Sequence, residues 1–369
     1  MPATDPHQRL MQHLSTLGMG YPPREALLEI LRENFSADEA ELACRLPAGV
    51  PPFATATAED VARSAGRPVE AVRLTLEALA RRGLVYRASG PDGRPGYGFL
   101  QVGFGFPQTF FWKGEDSAHA RRMAELVARY FSRDVTREAY AGSDTKPYRY
   151  VPVRRSLSPR LQTVYPHHAM EPVLEGATVF AVGHCPCRVS MRLRGRPCPH
   201  PEEVCLKFDE MAEYVIHAGL ARRIDRDEAR EIVRRSAGLG LVHFVDNARD
   251  GVHHNCNCCG CSCWNVGTIR RRKVPRDVLM AVYFLRDTDP EGCTGCGACV
   301  EVCPVDAVDV EDDVARVDRA WCIGCGVCVD ACPEGAVRLE PRPGRGEVPQ
   351  DFGTLHRTIL DQKKARRAS

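Results

Sequence analysis

The sequence predicts an α+β chain of several domains, and three observations support this fold class. The first 110 residues follow the order helix, turn, helix and hairpin. Of the 18 cysteines, all but Cys44 lie after residue 184. The last third of the chain contains an internal repeat of 16 residues at an offset of 29 residues. A chain of 369 residues has room for two or three domains of about 150 residues each.

The composition excludes several classes of protein. Hydrophobic residues make up 44% of the chain, which is enough for a packed core in each domain. The 50 basic and 48 acidic residues leave a formal charge of +2, so no global field attracts nucleic acid or anionic membranes. The N-terminus lacks the pattern of a signal peptide, and nowhere do 18 apolar residues stand together. We therefore expect a cytoplasmic protein without a membrane span.

Residues 1–110 are expected to form a winged-helix-like domain. A capping box of Ser36 and Glu39 and a terminal Gly83 mark two of its helix boundaries. The remaining boundaries follow from prolines and from apolar residues at helical spacing. Helices are predicted over 24–35, 37–46, 57–66 and 68–83, and strands over 84–87 and 97–101.

Many winged-helix proteins bind DNA, so a redox-sensing DNA-binding regulator is one alternative for the function. The polar face of the predicted recognition helix carries Glu70, Arg73, Glu77 and Arg81. Helices that read DNA are usually more one-sidedly basic, because phosphate contacts supply most of the affinity. We therefore favour a docking or structural role for this domain over DNA binding.

Residues 111–180 are expected to be a connecting helix, over 117–131, followed by a linker. Residues 181–287 are expected to form a cysteine-rich α+β domain with helices over 208–217 and 225–237, the second capped by Asp225 and Glu228. Residues 343–369 are rich in proline, glycine and charge and are expected to be a flexible tail.

The C-terminal repeat has the cysteine spacing of a bacterial two-cluster ferredoxin. Each copy reads C-x2-C-x2-C-x3-C-P, and the copies at Cys293 and Cys322 are identical at 10 of 16 positions. In proteins with this run, the fourth cysteine of each motif ligates the other cluster. We therefore expect residues 288–342 to form a 2[4Fe-4S] ferredoxin-like domain. Its ligands are expected to be Cys293, Cys296, Cys299 and Cys332 for one [4Fe-4S] cluster and Cys322, Cys325, Cys328 and Cys303 for the other.

The spacing has a physical reason. Three thiolates at a pitch of three residues on a tight loop can reach three corners of a cubane, while the loop amides point at its sulfides. Such a loop needs glycines at unusual backbone angles, and the repeat supplies Gly295, Gly297, Gly324 and Gly326. Zinc is the alternative, since CxxC pairs also build zinc sites. Zinc requires neither the third cysteine nor the closing proline, so the cluster interpretation is favoured.

The central domain holds nine further cysteines, and we expect them to bind metal. Nine thiols are too many for one four-coordinate site and enough for two. An additional iron–sulfur cluster is favoured over zinc, and unligated redox thiols are a third alternative. Nearby arginines would keep adjacent thiols ionised, and nearby histidines are expected beside the ligands rather than among them. The cysteines are Cys185, Cys187, Cys198, Cys205, Cys256, Cys258, Cys259, Cys261 and Cys263. The arginines are Arg188, Arg192, Arg194 and Arg196, and the histidines are His184, His200, His253 and His254.

The order of these motifs resembles a group of anaerobe-associated proteins described as 4Fe-4S ferredoxin or 4Fe-4S binding-domain proteins. The resemblance rests on HCPCR at residues 184–188, the proline-flanked Cys198, Cys205, a predicted helix pair, NCNCCGCSC at 255–263 and the doubled C-terminal motif. It covers nearly the whole chain and implies electron transfer, with a low-potential redox enzyme or a flavoprotein as partner. Ser262 stands where the pattern of that group has another cysteine.

The sequence therefore predicts an iron–sulfur electron-transfer protein with two C-terminal [4Fe-4S] clusters and an additional central metal site. Its expected partner is a redox protein, either a flavoprotein or another iron–sulfur protein. An oxidoreductase with a catalytic central cluster is the first alternative, and the DNA-binding regulator is the second.

Overall fold

The structure of this protein is a computed structural model that describes residues 5–48, 51–90, 92–103, 105–153 and 156–368. Its α-helices, in chain order, are α1 (Pro6–Ser15), α2 (Glu25–Asn34), α3 (Ala37–Ala43), α4 (Ala58–Ala65), α5 (Val69–Arg81), α6 (Phe106–Thr109), α7 (Ala118–Tyr130), α8 (Arg133–Tyr140), α9 (Pro159–Val164), α10 (Met170–Gly176), α11 (Pro186–Leu193), α12 (Asp209–His217), α13 (Arg226–Gly238), α14 (Val266–Arg270), α15 (Arg276–Leu279), α16 (Ala298–Glu301), α17 (Val327–Asp330) and α18 (Phe352–Ala368). Its strands are β1 (Ala56–Thr57), β2 (Tyr86–Ser89), β3 (Pro95–Gly98), β4 (Tyr148–Val151), β5 (Phe180–His184), β6 (Glu203–Phe208), β7 (Arg222–Ile224), β8 (Val242–Asp246), β9 (His254–Cys258), β10 (Met280–Ala281), β11 (Phe284–Thr288), β12 (Val308–Glu311), β13 (Val314–Val317) and β14 (Val337–Pro341).

The N-terminal part contains the helices and the hairpin that the sequence predicts. Helices α2 to α5 lie within two or three residues of the predicted bounds, and strands β2 and β3 form the hairpin. The capping box is present, since the Ser36 hydroxyl accepts from the Glu39 amide at 3.2 Å and the Glu39 carboxylate accepts from the Ser36 amide at 2.8 Å. Helix α1 and strand β1 were not predicted, and β1 completes a sheet of order β1-β3-β2. The assignment of this part as a winged helix remains a prediction.

The central part is built on a mixed sheet of seven strands in the order β10-β4-β8-β9-β6-β5-β7. The β10–β4 pair is parallel and the other pairs are antiparallel. The predicted central helices are α12 and α13, and the Asp225 side chain caps α13. Strand β4, with the sequence YRYV, comes from the segment expected to be a linker. All four of its residues are buried. That segment also contains α7 to α10, so it contributes a sheet strand and several helices.

The C-terminal part contains two antiparallel pairs of strands. Strand β11 pairs antiparallel with β14, and β12 pairs antiparallel with β13. The short helices α16 and α17 each follow a cysteine loop of the repeat. Val308, Ala315 and Val337 form the centre of a small separate core.

The last segment differs from the flexible tail that the sequence composition suggests, because it forms the 17-residue helix α18. Its apolar residues Phe352, Leu355 and Ile359 are buried at helical spacing. At its other end, Lys363 donates to the carbonyls of Gly18 at 2.8 Å and Ala139 at 3.0 Å. The helix therefore ties the end of the chain to the N-terminal part. Among the described residues, no helix has the length and apolar character needed to cross a membrane.

Candidate metal centres

The fold brings six of the nine central cysteines to one buried cavity of about 70 Å³. The cavity lies where β6, β8 and β9 of the central sheet meet the start of α11 and the loop before α14. We call it the six-thiol cavity. Its cysteines are Cys185, Cys187, Cys205, Cys256, Cys258 and Cys263.

Strand register explains how these thiols meet. Strands β6 and β9 are antiparallel, with Leu206 paired to Asn255, so Cys205 and Cys256 stand opposite one another. Cys258 is two residues beyond Cys256 and therefore lies on the same face. Its sulfur is 3.3 Å from that of Cys263, which follows the end of β9.

The remaining two thiols come from the β5–α11 junction. Cys185 is the residue before α11, and Cys187 lies in its first turn. The pKa of Cys185 is lowered by its contact with Cys187, and the pKa of Cys187 is raised by burial and by that same contact. Burial of this many thiols requires a partner of positive charge if they are to be ionised together.

Two pKa values show how closely the thiols interact. Contacts with Cys205 and Cys258 lower the pKa of Cys256 to about 5. The contact with Cys256 raises the pKa of Cys205 well above its usual value. The Cys256 thiol therefore loses its proton more readily than the Cys205 thiol, and a metal centre would replace the proton that remains.

Lys207 is a functional candidate that the sequence analysis missed. Its ammonium is buried 3.3 Å from the Cys205 sulfur and lies 4.8 Å from the centre of the Trp112 ring. Burial opposes the charge, but the neighbouring Cys205 and Cys256 outweigh that cost and raise the pKa of Lys207. The signal in the sequence is a lysine two residues after a cysteine in the buried strand EVCLKF.

Backbone amides also point at the thiols. Cys263 accepts from the amides of Asn265 at 3.3 Å and Val266 at 3.4 Å, and Cys187 accepts from that of Trp264 at 3.4 Å. Such N–H···S contacts stabilise a thiolate and tune the potential of a cluster that it holds.

Of the four arginines near the first cysteine group, Arg188 reaches the thiols. It is buried, and its guanidinium donates to the carbonyls of Pro201 and, at 2.9 Å, Asn257. Burial works against its charge, but the thiols of Cys185, Cys259 and Cys258 prevail and raise its pKa. Arg192 and Arg194 instead form ion pairs with carboxylates, at 2.9 Å and 3.4 Å.

The other three central cysteines stand apart from the cavity in a compact group with one histidine. The ligand atoms of this group all lie within 4.8 Å of one another. We call it the four-donor group, and its members are Cys198, His200, Cys259 and Cys261. The other three histidines near the cysteines have other partners: Asp246 binds His254 at 3.0 Å, Glu210 binds His253 at 3.2 Å, and the Trp112 carbonyl contacts His184 at 3.1 Å.

The C-terminal cysteines occupy two places. Cys303 lines one small cavity together with Cys322, Cys325 and Cys328, although it belongs to the other copy of the repeat. Around the small C-terminal core, Cys299 lies close to Cys293 and Cys332. Cys303 thus lies with the first three cysteines of the other copy, and Cys332 lies with Cys293 and Cys299.

A buried arginine lies between these two places. Arg286 lines the cavity of Cys303, and its guanidinium contacts the Cys299 sulfur at 3.5 Å. The amides of Ala307 and Ala315 donate to Cys303 and Cys293, each at 3.3 Å. These donors are equivalent to those at Cys263 and Cys187 in the central part.

The C-terminal part packs against the central part at the cysteine loops. The Cys325 carbonyl accepts from the Val153 amide at 3.0 Å, and Arg276 donates to the Cys322 carbonyl. The buried Tyr150 lies near Cys263 and Cys258 of the six-thiol cavity and also near Cys325 of the repeat.

The basic run at residues 270–273 contributes to the same contact. Arg272 donates to the Val305 carbonyl at 2.7 Å and lies 4.5 Å from the centre of the Trp321 ring. Arg270 pairs with Asp306 at 2.7 Å. These two arginines therefore bind the C-terminal part of the chain itself.

The basic side chains on the polar face of α5 form ion pairs with acidic side chains of the same helix. Arg73 pairs with Glu70 at 2.5 Å, and Arg81 pairs with Glu77 at 3.3 Å. Glu77 also binds His217 of α12 at 2.7 Å, which holds α5 against the central part. This arrangement gives DNA binding no support.

Comparison with known proteins finds one family. Residues 287–333 match the model of the 4Fe-4S dicluster domain. Neither a search of curated proteins nor a search of solved structures finds a match to this chain. This α+β chain therefore carries a 4Fe-4S dicluster domain near its C-terminus, beside a cysteine-rich central site.

Proposed function

We propose that this protein transfers electrons between a redox partner and its central metal site by means of iron–sulfur clusters. The observation that carries the proposal is the buried six-thiol cavity beside a 4Fe-4S dicluster domain, with the buried Tyr150 near thiols of both. When bound, such clusters supply one-electron redox chemistry.

The C-terminal ligands are proposed to be the two crossed sets of four cysteines. One set is Cys293, Cys296, Cys299 and Cys332, and the other is Cys322, Cys325, Cys328 and Cys303. The shared cavity of Cys303 and the second copy supports the crossing. The loops also have the required backbone, since their four glycines have φ between +64° and +79°.

The six-thiol cavity is proposed to hold an additional iron–sulfur cluster. It offers buried thiols, amides directed at sulfur, and the cations Lys207 and Arg188 to offset thiolate charge. These are the features that the C-terminal sites share through Arg286 and the amides of Ala307 and Ala315.

The exposure of the two proposed cysteine sets supports one order of electron transfer through them. Cys296 of the first set is exposed, whereas Cys325 of the second set is buried against Tyr150 and the central part. We therefore propose that a redox protein, either a flavoprotein or another iron–sulfur protein, docks near Cys296. The second set then lies between that partner and the six-thiol cavity.

The test compares reduction of the central site in variants of the full chain, purified without oxygen. Reduced flavodoxin is mixed with the wild type, Cys325→Ala and the control Cys44→Ala, and reduction is followed by rapid-freeze electron paramagnetic resonance. We expect Cys325→Ala to slow reduction of the central site at least tenfold, and Cys44→Ala to match the wild type. Equal rates in Cys325→Ala and the wild type would refute the proposed route.

An oxidoreductase with a reactive central cluster is the second candidate. The thiol count favours it. One cubane takes four of the six thiols in the cavity, which leaves two thiols beside the cluster. In that case an added small ligand such as cyanide is expected to change the resonance of the central site alone. An unchanged spectrum at saturating cyanide would leave electron transfer as the function.

A further inference from the structure

We propose that the four-donor group is a zinc site of the Cys3His type, separate from the six-thiol cavity. It lies between the loop after α11, which carries Cys198 and His200, and the loop after β9, which carries Cys259 and Cys261. The nine central cysteines are thereby divided into six for a cluster and three, with a histidine, for one metal ion.

The distances favour a single ion. The Cys198 sulfur lies 3.1 Å from Cys261, 3.6 Å from Cys259 and 3.2 Å from the His200 Nδ1 atom. Four ligands on one zinc ion, with Zn–S of about 2.3 Å, stand about 3.8 Å apart at the corners of a tetrahedron. The observed group is therefore close to the size of a one-metal site.

A cubane would need a wider set of ligands, because its thiolates bind different irons that are themselves separated. The C-terminal cysteines illustrate the contrast. In the part of the chain that the structure describes, only the four-donor group has three or more cysteine, histidine or acidic side chains with all ligand atoms within 4.8 Å of one another. Neither the C-terminal sets nor the six-thiol cavity forms such a compact group.

The chemistry of the donors also favours zinc. Three thiolates and one imidazole are a common closed ligand set for structural zinc, and they leave no position open for substrate. Zinc has no redox chemistry, so the site would add rigidity and carry no electrons. The Ser262 hydroxyl lies 3.8 Å from the Cys261 sulfur, beside the four donors.

The location suggests what the ion would stabilise. Cys259 and Cys261 lie between Cys258 and Cys263 of the six-thiol cavity, in the same short loop. A Cβ atom on Gly260 would overlap the Pro304 carbonyl, so this loop packs tightly against the residue after Cys303. A zinc ion here would fix the loop that separates the central cavity from the C-terminal part.

The test measures zinc and iron in the full chain, produced with both metals and purified without oxygen. We expect about one zinc per chain, and X-ray absorption at the zinc edge should show three sulfur ligands and one nitrogen. His200→Ala should lose most of the zinc while its iron content stays that of the wild type. His119→Ala, which changes an exposed histidine outside the group, should retain both metals.

His200→Cys is a control for the case in which His200→Ala loses zinc only because it fails to fold. It should keep about one zinc per chain, now with four sulfur ligands. Wild-type protein without zinc, a zinc ion without a nitrogen ligand, or full zinc retention in His200→Ala would each overturn the proposal. The readout is independent of electron transfer, so zinc binding and the proposed function can fail separately.

Discussion

Two buried cations contact thiols of the two proposed cluster sites, and we expect each cation to influence the redox potential of its site. Lys207 contacts Cys205 in the central cavity, and Arg286 contacts Cys299 in the C-terminal part. A positive charge beside a cluster favours its reduced state, because reduction adds negative charge.

Replacing Lys207 with methionine is expected to lower the reduction potential of the central site by tens of millivolts. Methionine keeps the buried volume and removes the charge 3.3 Å from the Cys205 sulfur. A potentiometric titration followed by electron paramagnetic resonance measures the change. Lys207→Arg, which keeps the charge, should stay near the wild-type potential, and an unchanged potential in the methionine variant would contradict this role.

Arg286→Met is expected to lower the potentials of the C-terminal clusters by a similar amount while leaving the central site unchanged. The matched control is Arg338→Met on the paired strand β14, because Arg338 is exposed and bound to Asp287 at 2.6 Å. Protein-film voltammetry of the three proteins provides the comparison. Equal shifts in both variants would show that the position of Arg286 between the cysteine sets has no special effect.

At the scale of residues, the sequence indicates which cysteines are candidate ligands. It does not indicate which other side chains contact their sulfur atoms. The cysteine spacing of the repeat identifies candidate ligands because the ligands are close in sequence. Lys207 and Arg286 are buried by strand pairing between distant segments, so their proximity to thiols appears only in the folded chain. The division of the central cysteines into six and three depends on the same long-range pairing.

Among the elements, the two cysteine loops of the repeat offer a matched pair of glycines. Gly297 and Gly326 occupy equivalent positions, with φ of +77° and +79°. A Cβ on Gly297 would meet open space, whereas one on Gly326 would overlap the side chain of Ser156. At this position the second loop is therefore packed against another segment, whereas the first loop is not.

Alanine at these two glycines is expected to separate backbone strain from packing. Both variants carry a strain of about 1 kcal/mol, and Gly326→Ala adds an overpacking cost of about 1–3 kcal/mol. The thermal midpoint of cluster loss should therefore fall further for Gly326→Ala than for Gly297→Ala. Adding Ser156→Gly to Gly326→Ala should restore much of the difference, and equal midpoints in the two single variants would disprove the packing argument.

Helix α18 makes stability sensitive to pH through His356. Burial lowers the pKa of this histidine to about 4, and Asp246 only partly offsets that effect. The unfolded chain, with a histidine pKa near 6.5, then binds a proton that the folded chain does not bind between those values. Stability from this group is complete above about pH 6.5 and falls as the pH drops toward 4.

His356→Phe is expected to flatten this dependence. The histidine should cost the wild type about 1 kcal/mol between pH 7.5 and 5.5, and phenylalanine removes that loss. The neighbouring Phe352 ring, 4.3 Å away, can pack against the new ring. Unfolding midpoints at both pH values measure the effect, and an equal drop in the variant would contradict it.

The elements also show which sequence signals suffice. Capping residues and helical periodicity predict α3, α5, α7 and α13 closely, because those signals are local. Strand β4 and helix α18 were not predicted, since Pro- and charge-rich surroundings concealed them. The burial of Phe352, Leu355 and Ile359 at helical spacing is visible in the sequence once the helix is known.

At the scale of the whole molecule, the parts of the chain form a connected structure around the cysteines. Helix α18 joins the end of the chain to the N-terminal part, and Glu77 of α5 binds His217 of the central part. Arg272, Val153 and Arg276 join the central part to the cysteine loops of the repeat. We infer that the N-terminal part supports the central cavity, which agrees with the neutralised face of α5.

The central claim is that the six-thiol cavity holds a redox-active iron–sulfur cluster in addition to the two of the C-terminal part. The most direct measurement is iron and acid-labile sulfide per chain in anaerobically purified protein, with electron paramagnetic resonance of the reduced state. The account predicts about 12 iron atoms and a resonance in addition to that of the C-terminal pair. A value of about 8 iron atoms with only the signal of two coupled cubanes would contradict it.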